Sequence, residues 1–535
     1  MFAVAGYLLH KSGSYLASII DAYWTGAGNP TLVSELKTAG VQWSDALVNH
    51  GRPLPVLLTE RWKLVWERLP SDVEALYEDK DLVGALLDLV SAADIASEGF
   101  GLPQPHLPDG DTRYDVLERA AEALYRSYRI TGSSSLCERV LPSALCVLPK
   151  VHTPQIGMTF RSLTHHLALW PKDELRPIWA GEVATDRTNI ENAHLNLLLV
   201  PYPYDIKRSQ FGLVKNTHCG RQRMADNFAL FSYLPESAKD WLSNQFPLIL
   251  QEAKRLAPSQ RIDGVVFPEL SLLGDEELQA AASEVLKVFP GAWTVGGFHD
   301  NRTGNPVNTA GMFVRVSEST TGKPDEPDIL LAYRQPKHHR WQLETSQIQG
   351  YRLEDPLHSN YKYWEQTDIT DRRIQFFPFK RSFTLCLLVC EDLARQEPAS
   401  RLVRAVGPNL VIALLMDSQQ LHYRWPARYA SVLAEDPGSS VLSLTSLGMI
   451  KLHGENTTPD SPVSIGLWRD SWEPTRPREL KLMPSAQAVI LPIRQERRPE
   501  YSTDGREYMA TFCHLSSSTE LIQVYQPNPK PETKG

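Results

Sequence analysis

From Leu195 to about Ile493 the chain is punctuated by short apolar runs: LNLLLVPYP, IDGVVFPEL, AWTVGGF, TAGMFVRV, ILLAYRQ, FTLCLLVC, LVIALLM and SVLSLTS. Each is short for a core helix and apolar at consecutive positions, the mark of a strand covered on both faces. The spacers between them are helical or loop-like, and Trp241 to Leu256 carries the apolar stripe of an amphipathic helix. Strands of this kind, alternating with helices, satisfy their burial in a layered α/β domain. The later runs SIGLWRD and AVILPI have the character of antiparallel edges, so the sheets are expected to be mixed.

Three of the runs stop on a reactive side chain: VVFPEL on Glu269, ILLAYRQP just before Lys337, and LLVC on Cys390. A thiol on a sharp turn after a strand has its sulfur exposed near backbone N–H groups, which suits a nucleophile whose attack creates an oxyanion. Such a nucleophile needs a base to take its proton and a cation to hold the developing charge. A carboxylate against an apolar wall has a raised pKa and can shuttle protons near neutrality. Each residue also has an ordinary role. Glu269 could cap the segment LSLLGDEE, a lysine is usually a solvated charge, and a cysteine such as Cys386 is usually inert core. One reactive residue at each of three strand ends points instead to acyl chemistry. Pairing with Lys337 is expected to favour the Cys390 thiolate and make it react ahead of Cys137, Cys146, Cys219, Cys386 and Cys513.

The text around these residues resembles the nitrilase superfamily of carbon–nitrogen hydrolases over about residues 195–493. Glu269 in VVFPELSL matches that family's general base, Lys337 in YRQPKHH its oxyanion lysine, and Cys390 in LLVCEDLAR its nucleophile. TVGGFHDNRTGNPVNTAGMFV resembles the strand pair before the lysine, with Asn308 in the usual asparagine position. HYRWPARYASVLAEDPGSSVLSLTSLG resembles the family's Arg-Ala-rich helix and following strand. The resemblance implies a four-layer α-β-β-α sandwich and a small-molecule amide substrate processed through a cysteine thioester, with no metal or other cofactor. It also implies a homodimer or higher oligomer, since such proteins commonly pair about a two-fold axis. Family members often carry a second glutamate after the lysine: Glu344 fits that spacing, with Glu354 as the fallback. Asn308, Glu391 and Asp392 are the substrate-binding candidates, and the CED text favours an amide over a nitrile. Two subclasses fall away. The family's apolipoprotein N-acyltransferases need membrane helices, and its NAD synthetases need a further domain downstream. Two rival readings remain: acyl transfer to an amine, and a binding or effector scaffold of the kind found in bacterial defence cassettes.

The region before about residue 147 reads differently. Leu117, Ala120, Ala121, Leu124 and Tyr128 form one helical stripe, and Ser71 with Glu74 reads as a capping box opening the helix that carries Val73, Leu76 and Leu82. The opening MFAVAGYLLHKSGSYLASII lacks the basic start and cleavage site of a signal peptide and is expected to be a buried helix. At 535 residues the chain exceeds one ordinary core. The expected organisation is an α-helical module over 1–147 able to recruit a protein partner, a connector over 148–192, the hydrolase-like domain over 193–525, and a disordered tail over 526–535. Gly99 to Asp111 should break the module into two helical groups. The paired His165 and His166 lack a second ligand pair at metal spacing and read as structural. A net charge of −8 gives no strong nucleic-acid signal, so Arg221 with Arg223, and Arg494 with Arg497 and Arg498, read as solvated surface. Six cysteines without a CxxC pair indicate a reducing, cytoplasmic setting, and no apolar stretch is long enough to span a membrane.

Overall fold

The structure, a computed structural model, describes residues 1–18, 30–48, 53–70, 72–98, 135–137, 140–141, 144–171, 175–180, 194–214, 228–302, 304–316, 329–379, 383–454, 460–472, 476–516 and 518–526. The predicted break at Gly99 to Asp111, the stripe from Leu117 to Tyr128, Ser71, Cys219, Arg221, Arg223 and nearly all of the 526–535 tail lie outside the described residues.

Two large sheets carry the site. The first has the order β10 (Ile329–Pro336), β9 (Val307–Val316), β8 (Trp293–Asp300), β7 (Gly264–Val266), β4 (His194–Leu199), β19 (Ala486–Tyr501) and β20 (Glu507–His514), with β21 (Ile522–Tyr525) also paired to β19. The second runs β18 (Arg478–Leu482), β17 (Val463–Arg469), β16 (Ser440–Leu444), β15 (Leu410–Leu414), β14 (Phe383–Val389), β13 (Arg373–Phe379) and β3 (Arg176–Trp179). Both are mixed: β4, β7 and β8 are parallel, as are β14, β15 and β16 and the edge pair β13–β3, while the other pairs are antiparallel.

The layering follows from strand alternation. Leu195, Leu197 and Leu199 of β4, Val266 of β7 and Leu491 of β19 pack with Leu385, Leu387 and Ile412 of the second sheet in one core. Their neighbours Leu198, Val265, Phe267 and Ile490 point the other way, onto Ile249, Leu250 and Ala253 of the helix Phe246–Leu256 and Leu278, Ala281 and Val285 of the helix Asp275–Val288. Beyond the second sheet lie the helices Arg401–Val406 and Trp425–Glu435. The result is the expected α-β-β-α sandwich. The single helix expected over Trp241 to Leu256 is two, Lys239–Asn244 and Phe246–Leu256, interrupted at Gln245 before Pro247, which lacks an N–H and sits in the first turn of the second.

A third sheet had no counterpart in the sequence pattern. It has the order β11 (Gln342–Leu343), β12 (Lys362–Glu365), β6 (Phe228–Tyr233) and β5 (Phe211–Leu213). It packs through Phe231, Tyr363 and Trp341 on Leu270, Met416 and Met449, beyond the ends of the strands that carry the reactive residues.

The N-terminal region holds the helices Phe2–Ser12, Pro30–Val48, Val56–Arg68 and Lys80–Ala96. The opening residues are a buried helix, as expected. The helix carrying Leu82 starts later than the predicted capping box. Asp79 accepts from the Leu82 N–H (3.1 Å), while Glu74 begins a short 3₁₀ turn held by Asp72. Residues 144–171 form a hairpin, β1 (Leu145–Pro149) with β2 (Leu167–Pro171). One face of it, Leu145, Val147 and Leu167, joins the helical core. The other, Cys146, Leu148 and Trp170, joins the sandwich core. His165 and His166 belong to this junction: their backbone N–H groups donate to Asp94, and the His165 ring bonds Thr153 and the Arg506 carbonyl. On the β19–β20 hairpin, Arg498 is spent on stacking 4.8 Å over the Phe512 ring. Among the described residues no helix is long and apolar enough to cross a membrane.

Candidate active site

Glu269, Lys337 and Cys390 follow β7, β10 and β14, and the two facing sheets bring these strand ends together. All three are buried, at 3 %, 1 % and 4 % exposure. Cys390 occupies a backbone conformation (φ 46°, ψ −105°) that non-glycine residues adopt only when their surroundings force it. Its N–H donates to the Leu414 carbonyl (2.9 Å), and its own carbonyl accepts from Leu393 (3.0 Å), which locks the turn. Leu270, directly after Glu269, also has a positive φ of 46°.

Lys337 lies between two carboxylates: Nζ donates to Glu269 Oε1 (2.8 Å) and to Glu365 Oε2 (2.6 Å). Asn308 bridges the same pair, its Nδ2 donating to Glu269 Oε1 (2.8 Å) and Glu365 Oε1 (2.6 Å). The Trp341 N–H completes Glu365 (3.0 Å). Glu365 is the site residue the sequence reading missed. The spacing rule chose Glu344, which is exposed and caps the short helix Thr345–Gly350, with Gln347 bonding back to it. That is a helix-terminus role, and Glu344 makes no contact with Lys337. A signal for Glu365 did exist: KYWE is another short strand ending on a carboxylate.

Glu391 and Asp392 are also placed differently from expectation. Glu391 pairs with Arg395 (2.6 Å). Asp392 is fully buried and accepts from the His338 N–H and His339 Nδ1. Both carboxylates are therefore engaged by protein groups. Asn308 instead bridges Glu269 and Glu365. A further cluster, not foreseen, surrounds Asp417: Tyr351 O–H (2.9 Å), Arg424 Nη2 (3.1 Å) and Trp425 Nε1 (3.1 Å) all donate to its carboxylate.

The electrostatics divide the roles. Burial pushes the Glu269 carboxyl up; Lys337 opposes this and the neighbouring Glu365 charge adds to it. Burial acts the same way on Glu365, but Lys337, Asn308 and Trp341 outweigh it and hold that carboxyl below its usual range. Burial alone would discharge Lys337, yet its two carboxylates keep it a firm cation. Burial and the Glu269 charge push the Cys390 thiol well above its usual value, with Lys337 pulling the other way. Desolvation is the largest influence on the thiol, and the Lys337 charge expected to favour the thiolate acts against it. One oxygen, Glu269 Oε2, is buried and has no hydrogen-bond partner among the described residues. Among those residues, no group of three or more His, Cys, Asp or Glu could hold a metal ion.

The chain is similar to solved structures of carbon–nitrogen hydrolase proteins. XC1258 of Xanthomonas campestris, a CN-hydrolase superfamily protein with an arsenic adduct in its active site, is 13 % identical, with 56 % of this chain and 90 % of that one covered and a TM-score of 0.31. Nit3 of Saccharomyces cerevisiae, of branch 10 of the nitrilase superfamily, is 12 % identical over 60 % of this chain and 90 % of its own, with a TM-score of 0.29. A glutamine-dependent NAD(+) synthetase of Cytophaga hutchinsonii is 12 % identical over 57 % of this chain and 43 % of its own, also at 0.29. No protein-family model matches the chain, and no curated protein does.

Proposed function

We propose that the protein hydrolyses a carbon–nitrogen bond of amide type, with Cys390 as nucleophile, Glu269 as general base and acid, and Lys337 as the cation that holds the oxyanion. The observation that carries this is the unpaired Glu269 Oε2, in a buried carboxyl with a raised pKa, near the buried Cys390 thiol whose pKa burial also raises. A thiol of that kind is inert until a base removes its proton during attack. Glu269 takes the proton as sulfur bonds to the amide carbon, and the oxygen that becomes negative is met by Lys337. Glu269 then protonates the departing nitrogen as the carbon–nitrogen bond breaks, leaving a thioester. A water, deprotonated by Glu269, attacks the thioester, and sulfur leaves and recovers its proton. Glu365 and Asn308 hold Lys337 and Glu269 in register throughout.

Intact-mass spectrometry after incubation with a metabolite extract tests this: the wild type should carry an acyl adduct on Cys390, and Cys390→Ser should carry none on that position within the thioester mass range. With a substrate identified, Cys390→Ser, Lys337→Met and Glu269→Gln should each lower turnover at least about a hundredfold, the scale of losing a nucleophile, oxyanion donor or base. Full turnover by a folded Cys390→Ser protein would overturn Cys390 as the nucleophile, and a wild-type phenotype in that folded variant would end the enzymatic case and favour the scaffold reading.

A further inference from the structure

The residues on either side of the reactive groups are tied to one another. His338 and His339 directly follow Lys337, and Asp392 stands two positions after Cys390. The Asp392 carboxylate accepts the His338 backbone N–H on both oxygens (3.1 Å each) and His339 Nδ1 on one (2.8 Å), while His338 Nδ1 lies 3.4 Å from the other. The far sides of both rings are fixed as well. His338 Nε2 meets the Arg373 carbonyl (2.7 Å) and His339 Nε2 the Glu397 carbonyl (3.2 Å). The Lys337 N–H itself donates to the Asn308 carbonyl (2.8 Å). β10 and β14 belong to different sheets, so no strand ladder links the lysine loop to the nucleophile turn.

We infer that Asp392 and His339 are positioning residues that strap the loop carrying Lys337 to the turn carrying Cys390, and so set the distance between the cation and the thiol. This rests on the hydrolase reading and adds to it a pair that touches neither substrate nor sulfur. The Lys337 charge is the group that draws the thiol toward ionisation, and Coulomb attraction falls with separation. A fully buried carboxylate bonded to two successive residues leaves the loop little freedom to drift, so the backbone from which the clamped lysine stem projects keeps its distance from the thiol.

The test is the rate at which iodoacetamide alkylates Cys390 in the full chain, followed site by site by mass spectrometry, with melting temperature as a check on folding. Asp392→Asn and His339→Phe should slow alkylation at least about tenfold, a conservative figure beside the hundredfold that a misplacement of about 1 Å can cost. His339→Asn keeps a donor near the Nδ1 position and should restore a rate within about threefold of wild type. If Asp392→Asn fails to fold, the His339 pair decides. A folded His339→Phe that reacts like wild type overturns the strap, as does His339→Asn reacting as slowly as His339→Phe. Those results leave the hydrolase reading standing. That reading fails separately if wild-type Cys390 is alkylated no faster than Cys386, which is buried in mid-strand.

Discussion

At the scale of single residues the site depends on which carboxylate reaches the buried ammonium. Glu365 does, by a charge-assisted bond of 2.6 Å, and Glu344 does not. Glu365→Gln should therefore lower turnover about a hundredfold, with Glu344→Gln close to wild type within about twofold, in a side-by-side assay on the same substrate. Equal effects would mean that the lysine is held in some other way. The reactive trio was legible because each member closes an apolar run. Glu365 was obscure because KYWE is half polar, unlike the apolar runs that lead to the other three. The upward push of burial on the thiol was not legible either: desolvation depends on what packs around sulfur, and in sequence only the opposing lysine was visible.

At the scale of elements, Glu269 is presented by a close approach of two backbones. A Cβ on Gly297 of β8 would lie 2.4 Å from the Leu270 nitrogen and 2.6 Å from the Glu269 Cα, both backbone atoms that cannot swing aside. Gly297→Ala is expected to cost about 1–3 kcal/mol in a urea melt, as overpacking does, and to lower turnover by displacing Glu269. Gly212→Ala in β5 has nothing within 4 Å of the new methyl and should change neither. The strands of both large sheets were readable from their runs. The break at Gln245 and the late start at Asp79 were not, because a helix stripe continues smoothly across a boundary that only packing and capping decide.

At the scale of the whole molecule, the β1–β2 hairpin gives one face to each of two cores, and Asp94 anchors the junction. Asp94 accepts from three successive N–H groups, His165 to Leu167, and from Arg506 Nη1 (2.7 Å). Burial opposes its charge, but Arg506 and these donors hold its carboxyl well below the usual range. A folded-state pKa below the unfolded one means stability that is present above about pH 4 and lost as pH falls toward the folded value. Asp94→Ala should thus cost about 3–5 kcal/mol near neutrality, because Arg506 loses a buried partner, and the difference from wild type should shrink in acid. Lys150, buried beside the Arg161 and Thr164 carbonyls that accept from it, has its pKa lowered to about 7 by burial. Between about 7 and about 10.4 the unfolded chain binds the extra proton, so this lysine makes stability rise with pH. Urea melts at about pH 7 and about pH 9.5 should show that rise weakened in Lys150→Met. A fragment starting near residue 160 lacks β1 and Asp94, and is expected to aggregate rather than fold.

The sequence by itself determined the strands of the two large sheets and three strand ends bearing a glutamate, a lysine and a thiol, with the sandwich implied by the resemblance they carry, because burial on both faces and reactive residue types are local properties written residue by residue. The tertiary structure decided which glutamate meets Lys337, where Asp392 is spent, and how the hairpin joins two cores. Those depend on which loops from distant parts of the chain arrive at one buried point, and on the desolvation that meeting imposes. Neither quantity has a periodicity or a spacing from which it could be read.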